Sequence, residues 1–368
     1  MTHPPFTTLI DSLPSTVPFV GPETQERQLE RQFLARIGAN ESVFGPSPLA
    51  CDAIRLEADA IWQYGDPENF DLKTALAQKH NVNFSNIVIG EGIDGLLGYL
   101  VRLFVTKDVS VVTTDGAYPT FNYHVIGFGG NLVKVPFLDD HEDPSAIVKM
   151  AHETQARLVY FSNPNNPMGT FHGPEIIQKM LEELPEGCLL CLDEAYADFV
   201  EESELPVFDV NHPQLIRFRT FSKAYGLAGV RVGYAITNAP LATAFNKVRN
   251  HFGMNRLGQV AALAALSDTV HLENVKAQVK HSLARIADIA VANHCIAIAS
   301  RTNFIAIDCM KDGAFAQRVL ATLISKGVFV RMPAVAPQNR CIRISAGTKQ
   351  HLDLFETIFP EALRAAEQ

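Results

Sequence analysis

Short, nearly unbroken apolar runs alternate with longer amphipathic stretches along much of this 368-residue chain. The runs NIVIG (86–90), VSVVTT (109–114), NLVKVP (131–136), RLVYFS (157–162), CLLCLD (188–193), LIRFRTFS (215–222) and VRVGYAIT (230–237) predict strands. Segments 92–106, 144–156 and 174–184 predict helices between them. Strands without strict alternation, interleaved with helices, predict an α/β fold with a largely parallel sheet covered on both faces.

From about residue 240 the pattern changes. A long helical stretch over 241–268 and another over 272–294 precede a strand at 303–309 and a helix at 313–326. Strands near 328–331 and 341–345 and a closing helix from 349 complete what reads as a smaller α+β domain. The first 39 residues, Pro-rich and then charged, predict an arm that packs on the small domain or on a partner subunit. The expected divisions are 1–39 for the arm, 40–245 for the large domain and 246–368 for the small one.

Composition narrows the function. The chain is 47% hydrophobic and 19% charged with a net charge of −9, which argues against nucleic acid or an anionic membrane surface as a partner. No apolar run reaches the roughly 18–20 residues that span a bilayer. The start, MTHPPFTTLIDSLPSTVPF, has neither a basic nor a long apolar region of the secretory kind. A cytoplasmic protein is expected, with its six cysteines reduced. Cys188 and Cys191 stand at C-x-x-C spacing, yet no second pair follows to complete a metal site. They fall inside an apolar strand, where free cysteine acts as a small buried hydrophobe. No metal is expected.

In parallel α/β sheets, ligands bind beyond the carboxyl ends of the strands. After NIVIG comes EGIDG (91–95), a Gly-rich turn opening a helix, which suits a phosphate or simply turns the chain. After RLVYFS comes NPNNPMG (163–169), a turn that also presents Asn side chains. After CLLCL come Asp193, Glu194 and Tyr196, where a carboxylate is either functional and paired or a helix N-cap. After LIRFRTF comes Lys223, an ordinary surface lysine or a desolvated amine nucleophile. One cofactor unites these parts: pyridoxal phosphate needs a lysine for its aldehyde, an acid for its pyridine nitrogen and a phosphate cup.

The ordered blocks GANES (38–42), GEGIDGLLGYL (90–100), DGAYPTFNYH (115–124), SNPNNPMGTF (162–171), LDEAYADF (192–199), RTFSKAYGLAGVRVGY (219–234) and CIRISAGT (341–348) carry a family resemblance. The chain resembles the fold type I pyridoxal-phosphate aminotransferases, in particular the histidinol-phosphate aminotransferase branch. That resemblance implies the aspartate aminotransferase-like fold and a homodimer. It implies Lys223 as the Schiff-base lysine and proton carrier, and Asp193 as the partner of the pyridine nitrogen. Asn166 and Tyr196 would face the phenolate oxygen, and Phe121 would stack on the ring. Gly92, Ile93, Asp94, Thr220, Ser222 and Arg231 would hold the phosphate, with Tyr64 reaching across the dimer to the neighbour's cofactor. Arg343 and Arg331 match substrate-group arginines, and Asn40 and Arg256 are further substrate-side candidates.

Four positions depart from the family pattern. Met168 replaces the usual Thr of N-N-P-T-G, and Ile93 stands where Ala or Ser is common. Phe19 lies near a usual substrate-facing tyrosine, and Arg256 replaces a small residue. The implied reaction moves an amino group from histidinol phosphate or an aromatic amino acid to a 2-oxo acid such as 2-oxoglutarate. A lyase of the same fold, such as a phosphothreonine decarboxylase, uses the same cofactor set and stays open. A cofactor-binding regulator would need a DNA-binding module for which this chain has no basic segment. A dehydrogenase reading of GEGIDG leaves Lys223 unexplained.

Overall fold

The computed structural model describes residues 4–15 and 20–368, so Phe19 lies outside the described residues. A two-residue strand β1 (Ala35–Arg36) precedes the main sheet, whose strands are β2 (Ile87–Gly90), β3 (Ser110–Thr114), β4 (Asn131–Val135), β5 (Leu158–Ser162), β6 (Leu189–Asp193), β7 (Leu215–Thr220) and β8 (Gly233–Thr237). Their order across the sheet is β2-β8-β7-β6-β5-β3-β4. Only β8 opposes its neighbours; every other adjacent pair is parallel. Strands β2, β5 and β6 are buried at every position because helices cover both faces, which is why their sequences do not alternate.

Beyond the long helix Thr269–Ala292 lie β9 (Ile296–Ala297), β10 (Phe304–Asp308), β11 (Val328–Phe329) and β12 (Cys341–Ser345). An antiparallel sheet β12-β10-β9 packs on the helices Gly313–Ser325 and Lys349–Ala366 through Ile305, Ile307, Val319 and Phe355. Strand β1 runs parallel to β11, so the end of the N-terminal segment is stitched into this second core.

Two expectations need correction. The helical stretch 241–268 is broken: a helix Ala239–Ala244 ends in a short 3-10 turn, and a new helix starts at Arg256. Asn255 starts it, its side chain accepting the Gly258 N–H, as N-cap asparagines do. The division at 245/246 also shifts. Helix Arg256–Ser267 buries Ala261, Ala262 and Ala265 with Ala50, Leu76 and Phe221 of the large-sheet layer. The changeover falls inside Thr269–Ala292, whose Leu272 packs in that core and whose Ile286 and Ile289 pack in the second.

Candidate active site

The carboxyl ends of β2, β3, β5, β6 and β7 share one sheet edge. Because β8 runs the other way, its entry, next to Arg231, lies on that edge too. A cavity of about 220 Å³ opens there, lined by Asp193, Tyr196, Lys223, Asn166, Arg231 and the start of the helix Gly92–Phe104.

Lys223 follows β7, and its Nζ lies 5.7 Å from the centre of the Tyr196 ring. Burial, with Arg343 adding repulsion, pulls its pKa from 10.5 down to about 8. At the tip of β6, Asp193 accepts the Tyr160 hydroxyl at 2.6 Å on one oxygen and the Ala195 N–H at 2.9 Å on the other. Burial pushes its pKa up to about 6 against those two bonds. Glu194 points elsewhere and is tied to Arg217 and Arg219 at 2.9 and 3.0 Å. Cys188 and Cys191 are buried free thiols, and burial pushes Cys188 up to about 12, so this C-x-x-C is packing rather than redox chemistry.

Tyr196 Oη accepts from Asn40 Nδ2 at 2.9 Å and from Asn166 Nδ2 at 3.4 Å. Its own proton has no acceptor among the described residues. Asn40 is therefore tied to Tyr196 and, through Ser345, to β12. Asn166 Oδ1 accepts from Arg343 Nη1 at 2.5 Å, joining the large-sheet loop to the second core. Arg343 and Arg331 bridge backbone to backbone, and Arg343 Nε is buried with no hydrogen-bond partner among the described residues. Burial lowers the Arg343 pKa to about 10.

The helix Gly92–Phe104 starts at Glu91 without a side-chain cap, leaving its first N–H groups unclaimed beside Thr220, Ser222 and Arg231. Gly92 has φ +77°, a conformation that favours glycine, and a Cβ there would push against Arg231 Nη2. Arg231 Nη1 donates to Ser222 Oγ at 3.4 Å.

Phe121 and Arg256 lie outside this cavity, and Tyr64, expected at a neighbour's cofactor, points away from its own. Phe121 is fully buried behind the site, stacked on Tyr160 at 4.7 Å, because it sits on a helix face turned into the core. Tyr118, three residues earlier on the loop after β3, lines the cavity instead, its hydroxyl donating to Asp94 at 3.1 Å. Tyr64 is 78% exposed and packs on Phe252, away from its own chain's cavity. Arg256 is bound to Glu57 and to the Tyr64 carbonyl, likewise outside it. Met168 is fully buried against Ala306 and Cys341, so the methionine fills an interface between the two cores. Sequence reasoning missed Tyr118, Tyr160 and Ala195. Tyr118 had a usable signal, being the aromatic nearest the β3 tip.

Pyridoxal phosphate fits these groups. A desolvated amine, a strand-tip carboxylate, a hydroxyl whose proton lacks an acceptor and an uncapped helix start with Arg231 converge on one cavity. When bound, the cofactor supplies an electron sink for the bonds at a substrate's α-carbon.

Comparison with known proteins agrees. The family described as aminotransferase class I and II matches residues 35–355. The histidinol-phosphate aminotransferase of Moorella thermoacetica is 32% identical over 348 residues, covering 93% of this chain and 88% of that protein. The crystal structure of histidinol-phosphate aminotransferase from Sinorhizobium meliloti in complex with pyridoxal-5'-phosphate superposes with a TM-score of 0.95 at 49% identity, covering 99% of this chain and 98% of that one. Aspartate aminotransferase from Thermus thermophilus shares the fold at 18% identity and a TM-score of 0.81, covering 99% of this chain and 100% of that one. The chain thus belongs to the class I and II aminotransferases, in their histidinol-phosphate aminotransferase branch, and is a pyridoxal-phosphate-dependent aminotransferase.

Proposed function

We propose that this aminotransferase takes its amino group from histidinol phosphate and passes it to a 2-oxo acid such as 2-oxoglutarate, as a cytoplasmic homodimer. The observation that carries the substrate reading is the pair Arg343 and Arg331, bridged through their backbones at the edge of the site, with Arg343 Nε buried and unmatched. A guanidinium in that state seeks an anionic oxygen, and a phosphate ester offers several. The names of the relatives support the same donor.

The side chains divide the work. Lys223 Nζ would hold the cofactor aldehyde and, when free, could take the proton from the substrate α-carbon; a pKa near 8 leaves part of the amine neutral at pH 7. Asp193 would keep a proton on the cofactor's pyridine nitrogen. Tyr196 and Asn166 would donate to its phenolate oxygen, with Tyr118 and Ala195 lining the cavity beside it. The first N–H groups of the helix at Gly92, with Thr220, Ser222 and Arg231, would hold the phosphate. Tyr64 reaches the partner subunit's site. Tyr64 and Phe252, exposed and packed on each other, with Trp62 80% exposed two residues before Tyr64, offer apolar surface that suits a second copy of the chain.

A donor panel with 2-oxoglutarate tests this. Histidinol phosphate should give the highest kcat/KM, above phenylalanine. A preference for phenylalanine would overturn the donor assignment, and carbon dioxide release from a phosphorylated amino acid without transamination would favour a lyase.

A further inference from the structure

Glu142 is a carboxylate that none of the roles above uses. It is 1% exposed and faces no cation at ion-pair distance among the described residues. It is saturated with donors all the same. Oε2 accepts from Thr114 Oγ1 at 2.6 Å, at the tip of β3. Oε1 accepts from Ser162 Oγ at 2.7 Å and Ser162 N at 3.2 Å, at the tip of β5, and from Asn165 Nδ2 at 2.6 Å.

The last bond ties Glu142 to the site. The Asn165 carboxamide can be oriented only one way, because its Oδ1 already accepts the Met168 N–H at 3.0 Å. Its Nδ2 then faces Glu142 Oε1 at 2.6 Å, its shorter bond, and Ser162 Oγ at 3.2 Å, a hydroxyl that Glu142 itself holds. The turn so closed runs from Asn165 to Gly169, whose N–H returns to the Asn165 carbonyl at 3.0 Å. Asn166, bonded to Tyr196 and Arg343, stands inside that turn.

We propose that Glu142 is a positioning residue for the transamination site, fixing the Asn165–Gly169 turn and through it the Asn166 side chain. The inference rests on the functional assignment above. Glu142 acts through its acceptor geometry and not its charge: a glutamine can keep Oε1 toward Asn165 and Ser162 and turn Nε2 to Thr114, whose hydroxyl can accept as well as donate. Leucine keeps the volume but removes the short Glu142 acceptor, leaving Asn165 Nδ2 only the longer bond to Ser162 Oγ at 3.2 Å.

The test uses the holoenzyme and the cofactor-free protein. Glu142→Leu should lower kcat about tenfold, and the pH midpoint of the bound cofactor's visible band should rise by about one unit, since an anionic oxygen loses a donor. In the cofactor-free protein the amides of Met168 and Gly169 should exchange at least tenfold faster. Glu142→Gln should restore all three to within about threefold. Should Glu142→Leu fail to fold, Asn165→Ala deletes the same link and carries the same expectation. Unchanged kcat, band midpoint and exchange in the leucine or alanine variant overturns the inference, as does a glutamine variant no better than leucine. A parent protein whose band survives Lys223→Ala overturns the functional assignment itself.

Discussion

Tyr160 on β5 donates its hydroxyl to Asp193 on β6 across 2.6 Å, a bond between adjacent parallel strands that keeps a buried strand-tip carboxylate oriented beneath the cavity. Burial works against the ionised carboxylate, and this bond works for it. In Tyr160→Phe the Asp193 pKa should climb above about 6, kcat should fall about tenfold and the cofactor should dissociate more readily. Steady-state rates and a cofactor titration measure both; a phenylalanine variant equal to the parent would contradict the role.

Lys223 provides a stability test as well as a catalytic one. Its folded pKa of about 8 lies below its ordinary 10.5, so the unfolded chain binds that proton more tightly. The cost to the cofactor-free fold is full below about pH 8, shrinks as pH rises toward 10.5, and vanishes above it. Lys223→Met should therefore stabilise the cofactor-free protein at pH 7 by about 1–3 kcal/mol, raising Tm by a few degrees. The gain should disappear near pH 10.5. The same variant should lose the visible band and at least about 10³ in kcat.

Tyr118 and Phe121 separate cofactor contact from packing. Tyr118→Ala should weaken cofactor retention about tenfold with little change in Tm of the cofactor-free protein. Phe121→Ala empties a fully buried site and should cost about 3–5 kcal/mol by denaturant unfolding. The reverse pattern would restore Phe121 to the ring face.

Arg343 should be intolerant even of lysine. Its Nη1 holds Asn166 while Nε has no partner among the described residues, a division that one ammonium cannot reproduce. Arg343→Lys and Arg343→Gln should both lower kcat/KM for the amino donor about 10²-fold, chiefly through KM. Activity of Arg343→Lys within threefold of the parent would refute the fork-specific role.

Local pattern went far here. The continuous apolar strands announced a sheet covered on both faces, and the rule that chemistry follows strand tips led to Asp193, Asn166 and Lys223. Those tips now share one cavity. Phe121 shows where that reading runs out. Phe121 was placed at the ring by its spacing in a motif, but the first turn of its helix rotates that side chain into the core and leaves Tyr118 at the mouth.

The succession of strands and helices, the residues at the strand ends and the family were legible in the chain alone, because each is written in short-range periodicity and in ordered motifs. Folding alone settles which distant groups meet: Tyr160 with Asp193, Arg343 with Asn166, Glu142 with Asn165. Strand pairing and the packing of the two cores create those contacts. They join residues up to 177 positions apart, and the cost of leaving a buried donor or acceptor unmatched selects them in the folded chain rather than in any local stretch of it.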